Sequence, residues 1–119
     1  MNNNCTIYKT ADFLGKRWTL LIILEIYKGK NKKKRYSELK KDLIGITPKM
    51  LSLRLKELEK NSLIKKFVDN SKYPIKCEYA LTKSGLEFIP IIQDIKKWAL
   101  KHKLNNQLCT DTDCKHCKL

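Results

Sequence analysis

The sequence lacks any long hydrophobic run. Its longest apolar stretch, residues 20–26, is interrupted by Glu25, whereas a transmembrane helix needs about 20 mostly apolar residues. The N-terminus also lacks a basic segment followed by an apolar one, which is the pattern of a secretory signal peptide. We therefore expect a cytoplasmic protein that does not insert into a membrane.

Catalytic motifs are lacking as well. The chain has no Gly-rich phosphate loop and no recognisable nucleophile motif, and its two histidines, His102 and His116, both lie near the end. These absences disfavour an enzyme. One concrete enzymatic alternative is a thiol-disulfide enzyme at Cys114 and Cys117, but such a pair normally opens a helix in an α/β context that this sequence does not show.

Acidic residues are scarce relative to basic ones. There are 12 Asp and Glu against 26 Lys and Arg, a formal net charge of +14. An excess of this size favours a polyanionic partner such as nucleic acid. An anionic membrane surface, or a lysine-rich surface that reflects genome composition or adaptation to heat, is an alternative explanation of the charge alone.

The 119 residues are enough for one compact domain. Hydrophobic spacing predicts a short amphipathic helix that ends at Gly15, a buried helix over 17–27 and a short helix over 36–43. Two apolar runs, 63–68 and 77–81, flank a basic turn and predict a β-hairpin. Thr82 is then expected to cap a long helix, which Pro90 would bend or whose true start it would mark.

Thr47-Pro48 predicts a helix start, since threonine is a good N-cap and proline is well tolerated at the first helical position. This helix should run to about Asn61. At 100° per residue its apolar side separates from its basic and polar side, and Gly45 supplies the turn before it. The order of elements predicts a mainly α fold with a small β-hairpin, the winged helix-turn-helix. The apolar residues of the last helix, which include Trp98, suit either a dimer interface or packing along the same domain.

In that fold one helix enters the DNA major groove and flanking cations neutralise phosphates. The residues predicted to face the groove are Thr47, Lys49, Ser52, Leu53 and Lys56. The two lysines have either guanine acceptors or phosphates as partners, Ser52 either a base or the backbone, and Leu53 a thymine methyl.

Phosphate contacts are predicted on both sides of this helix. The leading side carries Lys32, Lys33, Lys34 and Arg35, and the tip of the hairpin carries Lys72, Tyr73 and Lys76. Such contacts add affinity rather than sequence discrimination.

Five segments resemble the HxlR family of winged-helix transcription regulators. They are GKRW (15–18), RYSEL (35–39), ITPKML (46–51), LKELE (55–59) and YALT (79–82). The resemblance covers about residues 5–100. It implies a homodimeric regulator in which the helix starting at Thr47 reads a roughly palindromic double-stranded DNA site and the hairpin is the wing. It also implies that the first and last helices form the dimer. We expect this regulator to be a repressor.

Cys5 lies where family members often carry a cysteine that senses oxidants or electrophiles. A proline often follows that cysteine, whereas Thr6 follows here. Lys9, one turn on, would favour the thiolate. The resemblance therefore makes Cys5 a redox candidate.

The chain divides into a winged domain (1–104) and a Cys-rich C-terminal tail (105–119). Cys109, Cys114, His116 and Cys117 offer soft ligands for a metal such as zinc, with His102 an alternative fourth ligand. A regulated disulfide and a tail with spare thiols are the alternatives. For the whole chain, the rivals to specific DNA binding are a sequence-independent nucleic-acid or chromatin protein and a winged helix used for protein association.

Overall fold

A computed structural model describes residues 2–71, 73–103, 107–111 and 113–116. Five helices and three strands form the described winged core: α1 (Thr6–Leu14), α2 (Thr19–Lys28), β1 (Lys33–Arg35), α3 (Tyr36–Asp42), α4 (Pro48–Lys60), β2 (Ile64–Asp69), β3 (Lys76–Leu81) and α5 (Lys83–His102). A 3-10 turn at Lys30–Lys32 precedes β1. The C-terminal stretch adds α6 (Gln107–Asp111) and a 3-10 turn at Cys114–His116, which we call the C-terminal turn.

The core sits where α2 meets α4, α5 and β3. Ile22, Ile23 and Ile26 on α2 are fully buried, and so is Leu51 on α4. Burial of each such side chain contributes roughly 1.5–3 kcal/mol to folding. The predicted buried helix is therefore confirmed, although it begins at Thr19 rather than at Arg17, because Trp18 adopts a left-handed φ of 84° that a helix interior does not accommodate.

The predicted hairpin is confirmed as β2 and β3, which pair antiparallel from Ile64–Leu81 to Asp69–Lys76. The sheet has a third strand that the sequence did not predict. β1 pairs with the other edge of β3, with Lys33 opposite Ala80 and Arg35 opposite Glu78, so the order is β1-β3-β2. This strand forms through backbone pairing and not through side-chain burial. Its three consecutive basic residues therefore show no alternating apolar pattern from which a strand could be predicted.

α5 begins at Lys83, as its predicted threonine cap requires. The Thr82 hydroxyl accepts a hydrogen bond from the Gly85 amide at 3.2 Å. Pro90 lies inside the helix and does not mark its start. Proline has no amide donor, so the helix lacks one backbone hydrogen bond at this position. Because the ring is exposed, it does not interrupt the contact that α5 makes with α2.

Candidate nucleic-acid interface

The start of α4 is fixed by its cap. Thr47 Oγ1 accepts a hydrogen bond from the Met50 amide at 3.1 Å, and Pro48 occupies the first helical position. The helix is then held against the core by Leu51, Leu55 and Leu58, all buried. The cap and the apolar side of α4 are as predicted, so the opposite side of the helix points away from the core.

The opposite side of α4 faces outward. Thr47, Lys49 and Lys56 are exposed, and 45% of Leu53 is accessible although it is apolar. Ser52 is half-buried instead. Four of the five residues predicted to face the groove thus lie on one accessible surface, which we call the reading face, and Ser52 lies at its edge.

Tyr36 explains the position of Ser52. The tyrosine hydroxyl donates to the Pro48 carbonyl at 3.3 Å and lies 3.3 Å from Ser52 Oγ. Because a phenol has one proton, Ser52 is the donor in the second contact when Tyr36 donates to Pro48. Tyr36 therefore fastens the first residue of α3 to the first turn of α4. Sequence reasoning had placed it only on an apolar helix face, although a tyrosine there also brings a polar tip.

A groove of about 830 Å³ separates α3 and α4 from the wing. Arg35, Lys66 and Lys76 contribute positive charge to its lining, and the inner lining includes Tyr79, which is buried, and Cys77, which is half-buried. Burial, followed by a hydrogen bond with Cys77, raises the pKa of Tyr79 above its ordinary value. Tyr79 is therefore neutral at physiological pH. The charged lining consists of the three basic residues and one carboxylate, Asp69, so basic groups outnumber acidic ones in the groove.

Lys34 is placed differently from its basic neighbours. Its ammonium bonds to Asp42 and lies 3.1 Å from Glu25 Oε2, and only 11% of its side chain is exposed. Burial alone would lower its pKa, but the hydrogen bonds that the ammonium donates to Asp42 and Glu25, together with the attraction of their charges, outweigh burial and raise it. These contacts argue against the phosphate contact that the sequence suggested for Lys34. Arg35, the next residue, is exposed and lines the groove.

The wing tip is more apolar than predicted. Tyr73 is 97% exposed and Ile75 61%. Lys76 is exposed but forms an ion pair with Glu78 at 2.7 Å, which lowers the pKa of that carboxyl. Lys72, the remaining predicted wing contact, lies outside the described residues.

Exposed apolar side chains lie on the wing, on α4 and at Leu21 and Ile44, and a further group lies on the first and last helices of the core. On α1, Ile7 is 67% exposed, and on α5 Ile91, Ile95 and Trp98 are 49%, 45% and 56% exposed. The positions on α5 are four and three residues apart, so they lie on one helical face. We call this face of α5 the apolar stripe. Along the part of the chain that the structure describes, no helix is both long and apolar enough to cross a bilayer.

The predicted cysteine sites are only partly described. Cys5 is half-buried at the N-cap of α1, where the positive end of the helix dipole lies. Cys109 and Cys114 are half-buried and His116 is exposed. Within the described residues no three His, Cys, Asp or Glu side chains come together as a metal site. Cys117 lies outside them, so the zinc set remains a prediction.

The sequence and the fold can now be compared with those of known proteins. The family model described as HxlR-like helix-turn-helix matches residues 13–107. The chain belongs to this family. This HxlR-family chain thus has a winged helix-turn-helix fold and is a DNA-binding transcriptional regulator. The family and its named members are regulators rather than enzymes.

Individual relatives agree with this assignment. YodB from Bacillus subtilis, an HTH-type transcriptional regulator, is 35% identical over 116 residues, which cover 95% of each chain. Its reduced form superposes with a TM-score of 0.73 at 34% identity, over 87% of this chain and 98% of YodB. A protein described as a MarR-family transcriptional regulator, from Porphyromonas gingivalis W83, gives 0.75 at 36% identity, over 86% and 96%. The redox regulator HypR in its oxidised form gives 0.72 at 31%, over 84% and 99%.

Proposed function

We propose that this HxlR-family chain forms a homodimer that binds an inverted-repeat operator in double-stranded DNA and represses the adjacent genes. The observation that carries the proposal is the division of α4. One side is buried by Leu51, Leu55 and Leu58, and the other presents exposed Lys49, Leu53 and Lys56. A B-DNA major groove about 12 Å wide accepts one such helix, and its outward side chains reach the base edges.

Charge supports the same proposal. The chain has a formal net charge of +14, and Arg35 and Lys66 line the groove between the reading face and the wing. Phosphates of the duplex bind such cations with release of counterions, which gives affinity and makes it depend on salt. The exposed Tyr73 and Ile75 suit apolar contact with sugars beside the wing.

The dimer is inferred from uncovered apolar surface. The apolar stripe of α5 and Ile7 of α1 would remain in water in a single chain, and contiguous apolar surface of this kind marks interaction sites. A second copy of the chain is the simplest partner, since a two-fold dimer presents two reading faces about one duplex turn apart. Repression follows with no further partner when the operator overlaps a promoter.

Selection from a random duplex library tests specific reading. We expect the pool bound by the protein, at fixed near-physiological salt and in reductant, to be enriched in an inverted repeat with half-sites about 10 base pairs apart. Footprinting on the protein's own promoter region should then show symmetric protection wherever that repeat occurs. A bound pool without an enriched motif would instead support the rival model of sequence-independent nucleic-acid binding.

A second proposal concerns redox control of this regulator through Cys5. One structural neighbour, HypR, is a redox regulator, and another, YodB, has a structure of its reduced form. Cys5 precedes the exposed α1 helix that we assign to the dimer. Peroxide would convert its thiol to a sulfenic acid with release of water. A polar, bulkier group at that position would disturb the entry of α1 into the interface.

We expect hydrogen peroxide to weaken operator binding by about 5–150-fold, the usual range of coupling between two sites, and a reductant to restore it. The Cys5→Ser variant should bind equally well with and without peroxide. Cys77→Ser removes the half-buried thiol in the groove lining; its ratio of reduced to peroxide-treated affinity should match that of the parent chain, and this ratio serves as the control. A response that persists in Cys5→Ser and disappears in Cys77→Ser would refute the assignment.

A further inference from the structure

A second pocket lies away from the reading face, between the 3-10 turn at Lys30–Lys32 and the C-terminal turn. Its volume is about 600 Å³. Lys30, Lys32, Lys115 and His116 line it, and none of the lining residues that the structure describes is a carboxylate. Two segments more than 80 positions apart in the chain thus bring basic groups to one concave surface. We call it the basic pocket.

The charges of the basic pocket are not balanced from within. Lys28 also lines it, but its ammonium lies 3.2 Å from Glu25 Oε1. Across the described residues, Lys30, Lys32, Lys115 and His116 make no ion pair. Lys115 instead lies 5.8 Å from the ring centroid of Tyr27. Like charges held together repel one another, so an anion in the pocket would stabilise the arrangement.

The backbone that carries Lys30 and Lys32 is tightly shaped. Gly29 is buried, and a Cβ there would lie 2.1 Å from the Lys33 carbonyl oxygen. Asn31 and Lys32 both have a φ of 57°, in the left-handed region that residues other than glycine seldom occupy. Strained conformations of this type persist only where the surroundings determine them, and they cluster at ligand sites. The turn is therefore organised before any ligand arrives.

The position of the pocket separates it from DNA. Arg35 pairs with Glu78, towards the wing tip, whereas Lys33 pairs with Ala80, two residues farther from it. The 3-10 turn precedes Lys33 and so lies at the end of β1 away from both the wing tip and α3. A duplex seated on the reading face and the wing would leave the basic pocket open to a small solute.

We propose that the basic pocket binds a small anion that carries phosphate groups. A volume of about 600 Å³ exceeds what one phosphate needs and lies within the roughly 300–1,000 Å³ of small-molecule sites. Several ammonium groups suit a ligand with two or more phosphoryl groups, since each charged hydrogen bond adds to affinity. Such an anion bridges the 3-10 turn and the C-terminal turn, which packs on α2.

Isothermal titration calorimetry with inorganic pyrophosphate, at ionic strength held constant with chloride, tests this proposal on the full chain. We expect one pyrophosphate per chain, bound more tightly than inorganic phosphate. The double variant Lys30→Gln/Lys115→Gln should lose about tenfold or more in affinity, because each lost charged hydrogen bond is worth roughly that factor. The double variant Lys60→Gln/Lys65→Gln removes the same charge from exposed positions elsewhere and should bind as the parent does.

Equal loss in both double variants would overturn the proposal, because binding would then follow total charge. So would the absence of saturable binding in the parent chain. A fall in DNA affinity in Lys30→Gln/Lys115→Gln as large as that in Arg35→Gln would also overturn it, since the phosphate partner would then be DNA. A parallel titration with ADP distinguishes the sources of the anion: tighter binding than pyrophosphate indicates a phosphorylated metabolite, and weaker binding indicates a free inorganic anion.

Discussion

Replacing Ile95 with aspartate is expected to convert the proposed dimer into monomers and to weaken binding to a two-half-site operator by about 10²–10⁴-fold, the advantage that two linked binding events give over one. Ile95 is 45% exposed at the centre of the apolar stripe, between Ile91 and Trp98. A carboxylate buried there without a partner would carry a desolvation cost of several kcal/mol. The monomer keeps its own winged core, because the side chain points away from it.

Sedimentation equilibrium measures the mass of Ile95→Asp, and fluorescence anisotropy at fixed salt measures its affinity for DNA. Affinity for a single half-site should remain close to that of the parent chain. Gln93→Glu is the matched control: it adds the same charge to the same helix, about 200° around from Ile95. If Ile95→Asp remains dimeric and binds the full operator normally, the interface lies elsewhere.

Much of the fold was predictable because its signals are local. Leu51, Leu55 and Leu58 repeat at helical spacing, and Thr47-Pro48 marks where that helix begins. The hairpin followed from two β-prone runs on either side of a turn. Each of these patterns reflects burial of one face or capping of one end, which a few neighbouring residues determine.

The features that were missed depend on contacts between distant residues. β1 exists because β3 has a free edge for Lys33 and Arg35 to pair with, and no property of a run of basic residues indicates that. Lys34 differs from Arg35 only because Glu25 and Asp42 lie within reach of it. The hydroxyl contact between Tyr36 and Ser52 likewise joins residues 16 positions apart. Pattern analysis predicted a basic surface, but it could not predict which of the positive charges is already paired with carboxylates.

Lys34 is bound to two carboxylates, whereas Lys49 on the reading face is exposed. This contrast leads to the second large effect. Replacing Lys49 with alanine is expected to reduce operator affinity by about 1–3 kcal/mol per half-site if its ammonium contacts a guanine. Because a dimer carries two copies, the whole operator would lose twice that amount. Affinity for random DNA would change little. If Lys49 contacts a phosphate instead, affinity for both DNAs would fall together and the salt dependence would weaken by about one ion per half-site.

Lys34→Met provides the matched control, since it removes the same lysine charge from β1 instead of from α4. Lys34 is 11% exposed and already bound to two carboxylates, so we expect DNA affinity to change little. The loss should fall on folding instead, at about 1–3 kcal/mol of the free energy of unfolding, because Glu25 and Asp42 are left without their shared partner. Urea denaturation measures that loss and anisotropy measures the binding. A Lys34→Met variant that folds normally but binds DNA more weakly than Lys49→Ala would show that the ammonium leaves its carboxylates for a phosphate, and that the reading face extends across β1.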